Sequence, residues 1–220
     1  MNILIVDTET TGLDPEKDAI IEVGMILYNT EHRCVIAELS HLVDNDTNAA
    51  EEINHIPVGA LKESAEFSAE AAHFGGRLIS MSEYIIAHNA EFDRNFFKSH
   101  GVEPSQPWIC TKNDVVWPIR KGASLSLINI CAELGVPIIN AHRALNDCRL
   151  LVGALEKMPD IASFLLESGK GRKDYIALVS YEDREKAKAA GFAWQPTSKQ
   201  WVAKMKESDV AALPFKVREL

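Results

Sequence analysis

The sequence predicts a mixed α/β sheet flanked by helices, followed by a small α+β module. Three observations carry this reading. Three runs enriched in β-branched residues lie near the N-terminus, separated by turn-prone residues. Helical patterns then alternate with short apolar runs, the arrangement expected when helices cover a sheet. Finally, the charge reverses sign near residue 169. A chain of 220 residues with 46% hydrophobic content can bury one sizeable core and leave enough for a small second domain.

The elements follow in order. Asn2–Asp7, Ile20–Tyr28 and Cys34–Val43 read as strands, with Asp14-Pro15 and Asn29-Thr30-Glu31 as turns between them. An Ala/Glu-rich stretch from about Ala49 to Met81 reads as helical, and a short strand Tyr84–Ala87 comes next. A helix begins near Glu91, a strand is expected at Trp108–Thr111, and a helix fits Ser124–Leu134, closed by Gly135 and Pro137. The last helical pattern of this part runs from about Ala144 to Met158. The expected division is therefore 1–168 for the larger domain, 169–174 for a Gly/Lys-rich linker, and 175–220 for the module. In the module, Tyr175–Ser180 suggests a strand and Glu182–Ala190 a helix. Gly191–Trp194 and Gln200–Lys204 suggest a hairpin closed at Pro196-Thr197-Ser198.

A net charge of −9 excludes a uniformly basic polyanion binder, but the charge is unevenly spread. Residues 1–169 carry 12 Lys and Arg against 25 Asp and Glu, whereas residues 170–220 carry 11 against 7. Cys34, Cys110, Cys131 and Cys148 are widely spaced in apolar or helical surroundings, which suits buried thiols better than disulfides or zinc. No apolar run approaches ~18 residues and the start has no basic leader, so a cytoplasmic protein without a membrane partner is expected.

Chemistry concentrates in three places. Asp7 and Glu9 close the first strand, and alternation of side chains turns both to one face. Their Cα atoms lie about 6.5 Å apart, a gap across which two carboxylates can share divalent cations. Ala87-His88-Asn89-Ala90-Glu91-Phe92-Asp93 then puts Asp93 in the first turn after a strand end. His142-Arg143-Ala144-Leu145-Asn146-Asp147 opens the late helix. Five helical positions turn by about 500°, so a helical His142 would point away from Asp147; His142 is therefore expected in the preceding loop.

These three blocks, D-x-E, N-A-x-F-D and H-x-A-x-x-D, resemble in order and spacing the motifs of the DEDD exonuclease superfamily, histidine branch. The resemblance covers about Asn2 to Met158. It implies a ribonuclease H-like fold, a five-stranded mixed sheet with helices on both sides, and stepwise hydrolysis from a 3′ end. It further implies that Asp7, Glu9, Asp93 and Asp147 hold two Mg²⁺ or Mn²⁺ ions, with Asp7 bridging them, while His142 takes the proton from the attacking water. The chemistry suits the residues. In-line phosphodiester hydrolysis needs an activated water and positive charge near the leaving oxygen, which two ions about 3.5–4 Å apart provide. Imidazole offers a base that is neutral near physiological pH.

The same resemblance assigns substrate contacts to Thr8, Thr10, Thr11, Gly12 and Leu13, with Gly12 allowing close backbone approach. Asn89 and Phe92 join that set, although a structural role, orienting for Asn89 and packing for Phe92, is the plainer reading of each. The tail resembles the small C-terminal module of exonuclease X-like members. Its Trp194 and Trp201 could form a small core or offer stacking surfaces to single strands. The expected function is hydrolysis of DNA from single-stranded or frayed 3′ ends, releasing nucleoside 5′-monophosphates. Relatives with the same five residues trim RNA, others proofread beside a polymerase, and pairing into homodimers is common among them. A non-catalytic nucleic-acid binding protein is the reading from a different class.

Overall fold

The computed structural model describes residues 1–169, 173–195 and 198–220. It contains two compact units, Met1–Gly169 and Lys170–Leu220. In the first, strands β1 (Asn2–Thr10), β2 (Ile20–Asn29) and β3 (Cys34–Leu42) form an antiparallel meander. Helices α1 (Glu51–Asn54), α2 (Val58–Glu63) and α3 (Ser68–Met81) follow. Strand β4 (Tyr84–Ala87) then enters parallel to β1, α4 (Ala90–Ser99) crosses over, and β5 (Trp108–Cys110) lies parallel to β4. The sheet order is β3-β2-β1-β4-β5, the mixed five-stranded sheet the sequence predicts. Helices α5 (Leu127–Glu133), α6 (Ala144–Leu155) and α7 (Ile161–Gly169) complete the unit.

Strand β1 is central, so both its faces are covered and period-2 alternation sorts its side chains between two cores. Ile3 and Ile5 pack with α5, α6 and α7 residues such as Ile130, Leu151 and Leu165. Leu4 and Val6 pack on the other face with Leu78 of α3 and Phe96 and Phe97 of α4. Asp7 and Glu9 therefore extend the row that faces α6, and Thr8 extends the row that faces α4.

Several expected boundaries differ. β1 runs on to Thr10 because Thr8 and Thr10 are β-branched and the ladder to β2 continues through Glu9 and Glu22 before a bulge. The single helical zone of 49–81 is broken, since His55 adopts a left-handed φ of 56° and Pro57 precedes α2. The linker is shorter than 169–174: α7 reaches Gly169 and Lys173 already pairs with Met205. The middle of that linker, 170–172, and the first two residues of the Pro196-Thr197-Ser198 turn lie outside the described residues. Cys34 is exposed on the edge strand β3, in contrast to the buried thiols of Cys131 and Cys148. Among the described residues, no helix is long and apolar enough to cross a membrane.

The second unit holds β6 (Lys173–Ala177), α8 (Arg184–Ala189), β7 (Ala193–Gln195) and β8 (Gln200–Met205). It also holds α9 (Glu207–Val210) and β9 (Val217–Glu219), which the short apolar spacing of the tail did not reveal. Its antiparallel sheet has the order β7-β8-β6-β9. Tyr175, Ala177, Ala187 and Phe192 form its core, and Trp201 packs against them. Trp194 is not part of that core, being 48% exposed, because it sits on the edge strand.

One glycine sets the distance between α6 and the sheet. Gly24 of β2 pairs with Asp7, and a Cβ built on it would lie 2.4 Å from the Ala144 carbonyl carbon and the Leu145 nitrogen. Backbone cannot yield as a flexible side chain can. Gly24→Ala is expected to push out the first turn of α6 and lower stability by about 2 kcal/mol or more, as overpacking does in other cores. Urea unfolding of the full chain measures this; a loss below about 0.5 kcal/mol would show that α6 accommodates a methyl group there.

Candidate active site

The site is assembled at the end of β1. Asp7 and Glu9 project from β1 toward α6, whose first turn carries Asp147. Because Gly24 lets α6 lie against the sheet, oxygens of Asp7, Glu9 and Asp147 all come within 4.8 Å of one another. Asp93 stands outside that trio. It comes from α4 on the opposite layer, where the Thr8 hydroxyl donates to Asp93 Oδ1 at 2.9 Å and holds the carboxylate beside the strand end. Thus the structure gathers three of the expected ligands, while the fourth, held by Thr8, is near enough for its charge to raise the Asp7 carboxyl.

Burial and mutual repulsion disfavour ionisation here. The Asp7 carboxyl is pushed well above the ordinary range, first by burial and then by the charges of Asp93, Asp147, Glu9 and Glu22. Glu9 is raised to about 7 by burial and by Asp147 and Glu22, with Arg143 opposing. Burial raises Asp93 to about 7 against the Thr8 hydrogen bond. Asp147 is raised by burial as well, although the His142 backbone N–H and imidazole pull it down. Asp147 Oδ1 is buried and has no hydrogen-bond partner. Convergent carboxylates that resist ionisation, one with an unsatisfied buried oxygen, fit a hard divalent cation bound through oxygen.

Two residues to which the sequence motifs assign no role, Glu22 and the variable position Arg143, hold this cluster in place. Glu22 of β2 is 1% exposed and pairs directly with Glu9. Arg143 donates to it bidentately, from Nε at 3.0 Å and Nη2 at 2.9 Å, and the Ala144 N–H donates to the same carboxylate at 3.1 Å. The pair pins the start of α6 to the sheet and fixes the loop just before it. His142 lies in that loop, as expected, exposed and with a left-handed φ of 67°. Glu22 could have been found as a carboxylate in the otherwise apolar strand Ile20–Tyr28. It has the strand parity of Gly24, and Gly24 pairs with Asp7.

The residues expected to touch substrate are placed as follows. Thr8 is occupied by Asp93. Thr10 Oγ1 donates to the Gly12 carbonyl at 2.6 Å, and Thr11 Oγ1 donates to Asp18 Oδ1 at 3.3 Å. Gly12 is close to that same Asp18 carboxylate, which a Cβ would meet at 2.4 Å, so the glycine serves the loop's own closure. Leu13 is 85% exposed beyond it, the one apolar side chain of this segment open to a ligand. Asn89 adopts a φ of 80° to start α4, and Phe92 packs on Phe96 with ring centroids 4.8 Å apart.

Two outcomes follow from the charges. Arg143→Ala leaves the Glu22 carboxylate buried among like charges, and because the guanidinium is partly exposed the expected loss is about 3 kcal/mol, at the low end for broken buried pairs. The double variant with Glu22→Gln should recover part of it, and additivity in urea unfolding would refute the coupling. Second, Glu9 and Asp93 titrate near 7 when folded but at ordinary carboxylate values when unfolded, so the native state binds more protons between about pH 4.5 and 7. Their contribution to stability is present at low pH and lost as pH rises through 7. The melting temperature of the chelated protein should therefore fall from about pH 5.5 to about pH 8, and saturating Mg²⁺ should remove most of the fall.

Comparison with known proteins places this geometry. The family model described as Exonuclease (RNase_T) matches residues 4–155, and one described as Domain of unknown function (DUF8626) matches residues 173–220. DNA polymerase III PolC-type of Thermotoga petrophila is 29% identical over 193 residues, 81% of this chain, although the chain spans only 14% of that relative's length. Exodeoxyribonuclease 10 of Escherichia coli K12 is 30% identical over 161 residues, 69% of this chain and 66% of the relative. The structure of exonuclease X in complex with 5′ overhanging duplex DNA is 25% identical with a TM-score of 0.57, covering 76% of this chain and 99% of that one. The Exonuclease domain is metal-dependent, in keeping with the acidic trio. A family match over about two thirds of the sequence, coinciding with the five-stranded unit and containing all three acidic blocks, makes this chain a member of the Exonuclease family.

Proposed function

We propose that the protein is a 3′-to-5′ exonuclease that hydrolyses DNA from single-stranded or frayed 3′ ends and releases nucleoside 5′-monophosphates. The observation that supports this most is the half-buried trio of Asp7, Glu9 and Asp147, whose oxygens lie within 4.8 Å of one another although like charges repel. DNA is favoured by the likeness to exodeoxyribonuclease 10 and to the DNA complex of exonuclease X. This reading places the protein in the cytoplasm with DNA and Mg²⁺ or Mn²⁺.

In this reading Asp7, Glu9, Asp93 and Asp147 would together hold two divalent cations. Bound there, such ions supply positive charge to the scissile phosphate and lower the pKa of a coordinated water. The protein does the rest. An imidazole nitrogen of His142 takes the proton of the attacking water, and its loop position lets it approach and withdraw. The Arg143–Glu22 pair orients that loop from the adjoining residue. Exposed Leu13 packs on the terminal nucleotide, and the turn that carries it is held by the Thr11 N–H, which donates to the Ala19 carbonyl at 2.9 Å. Thr8 orients Asp93 rather than touching substrate.

The test is release of nucleotides from matched DNA and RNA oligomers labelled at the 5′ end, with Mg²⁺, with Mn²⁺ and with chelator. A metal-dependent ladder that shortens from the 3′ end, faster on DNA, is expected. Absence of a ladder beside an active control enzyme would overturn the enzymatic reading, and a faster RNA ladder would overturn the choice of substrate. Asp7→Asn should lower the rate by at least about 10³-fold, the loss of several kcal/mol of transition-state stabilisation, while raising the melting temperature of the chelated protein. His142→Ala should cost about 10²–10⁴-fold in rate and leave calorimetric Mg²⁺ affinity nearly unchanged.

A further inference from the structure

The C-terminal unit carries aromatic surface that its own core does not consume. Trp194 of β7 faces Trp201 of β8 across the ladder, ring centroids 5.6 Å apart, yet it remains 48% exposed on the edge strand. Tyr181 is 79% exposed, and the Arg184 guanidinium lies 4.2 Å above its ring. Both β6 and β7 run antiparallel to β8, so their C-terminal ends point the same way. Trp194 and the loop bearing Tyr181 are therefore found toward one end of this sheet, together with Lys199 in the β7–β8 turn.

The charges at this end divide clearly. Arg184 is 3.8 Å from Glu185, and Asp183 is taken up by Lys186. Lys199 is exposed at this end, as is Glu182 beside Tyr181, and residues 170–220 carry 11 Lys and Arg against 7 Asp and Glu. This contrasts with the excess of 13 acidic charges in residues 1–169, whose net charge opposes the approach of a polyanion.

We propose that this end of the C-terminal unit binds single-stranded nucleic acid, stacking bases on Trp194 and Tyr181 while Lys199 meets phosphate. The proposal rests on the exonuclease reading for its choice of ligand. Every base has a π-face, so two exposed rings with basic neighbours bind strands with little regard to sequence. Trp201 backs Trp194 and limits its rotation, so less freedom is lost when a base stacks on it. A second contact on the same chain raises the local concentration of substrate for a catalytic unit whose own net charge opposes binding.

The test uses the full chain in chelator, where no hydrolysis occurs, with fluorescence anisotropy of a labelled oligothymidylate of about 20 nucleotides. Trp194→Ala and Tyr181→Ala should each weaken binding roughly 10-fold, and Trp194→Phe should retain most of it. Lys199→Ala should lower the slope of log affinity against log salt by about one. With Mg²⁺, release from an oligomer of about four nucleotides should be the same in these variants and the parent, whereas release from the longer strand at low concentration should fall. Unchanged affinity in Trp194→Ala and Tyr181→Ala, with thermal melts showing both folded, would overturn the proposal and leave the rings for a protein partner. The two readings fail separately: ring-dependent binding without hydrolysis of any oligomer defeats only the exonuclease, and hydrolysis without ring-dependent binding defeats only the platform.

Discussion

The rest of the N-terminal unit depends on the cost of holding carboxylates close together. Asp7, Glu9 and Asp147 converge at one strand end, the charge of Asp93 presses on Asp7, and a fifth acid, Glu22, lies beside Glu9. Like charges at such distances repel strongly in a medium less polar than water. The fold offsets part of this with Arg143, whose planar fork takes both oxygens of Glu22 and so balances the one acid of the five that lies outside the proposed ligand set. The remaining acids keep their frustration, and a bound cation relieves it.

Local choices in the chain serve that arrangement. The apolar alternation of Ile3, Leu4, Ile5 and Val6 anchors β1 between two cores, so the polar residues that follow have no freedom to rotate to the other face. Gly24 removes the side chain that would separate α6 from the sheet. Thr8 uses the opposite parity to reach the one acid that arrives from α4. Cys148 fits between these elements as a small buried thiol, its Sγ 3.4 Å from the Gly24 carbonyl, and burial first, then the acids around it, push the thiol well above its ordinary range.

Most of this was legible in the sequence where local chemistry decides the outcome. Strands β1, β2, β4 and β5 follow from short β-branched runs, and the three acidic blocks announce themselves because carboxylates interrupt apolar patterns at strand and helix ends. What stayed hidden depends on pairing across the chain. Glu22 looks like an ordinary polar position until β2 is aligned on β1, and Arg143 looks like a solvated side chain until α6 is docked. Gly12 suggests room for a substrate, whereas its nearest neighbour is Asp18, six residues on. The helical composition of 49–81 likewise concealed a break that one left-handed residue and one proline impose.

The distance along the chain between the partners of the site has a consequence for how the molecule comes into being. Asp7 and Glu9 belong to the first strand, while Asp147 and the Arg143 clasp arrive with α6, some 140 residues later. Loop closure over such a span comes late in folding, because its entropy must be met before the contacts reward it. During synthesis, β1 through β5 can pair while α6 is still inside the ribosome. The growing chain thus passes much of its assembly as a sheet whose acidic cluster is incomplete, and Asp147 joins Asp7 and Glu9 only when α6 docks.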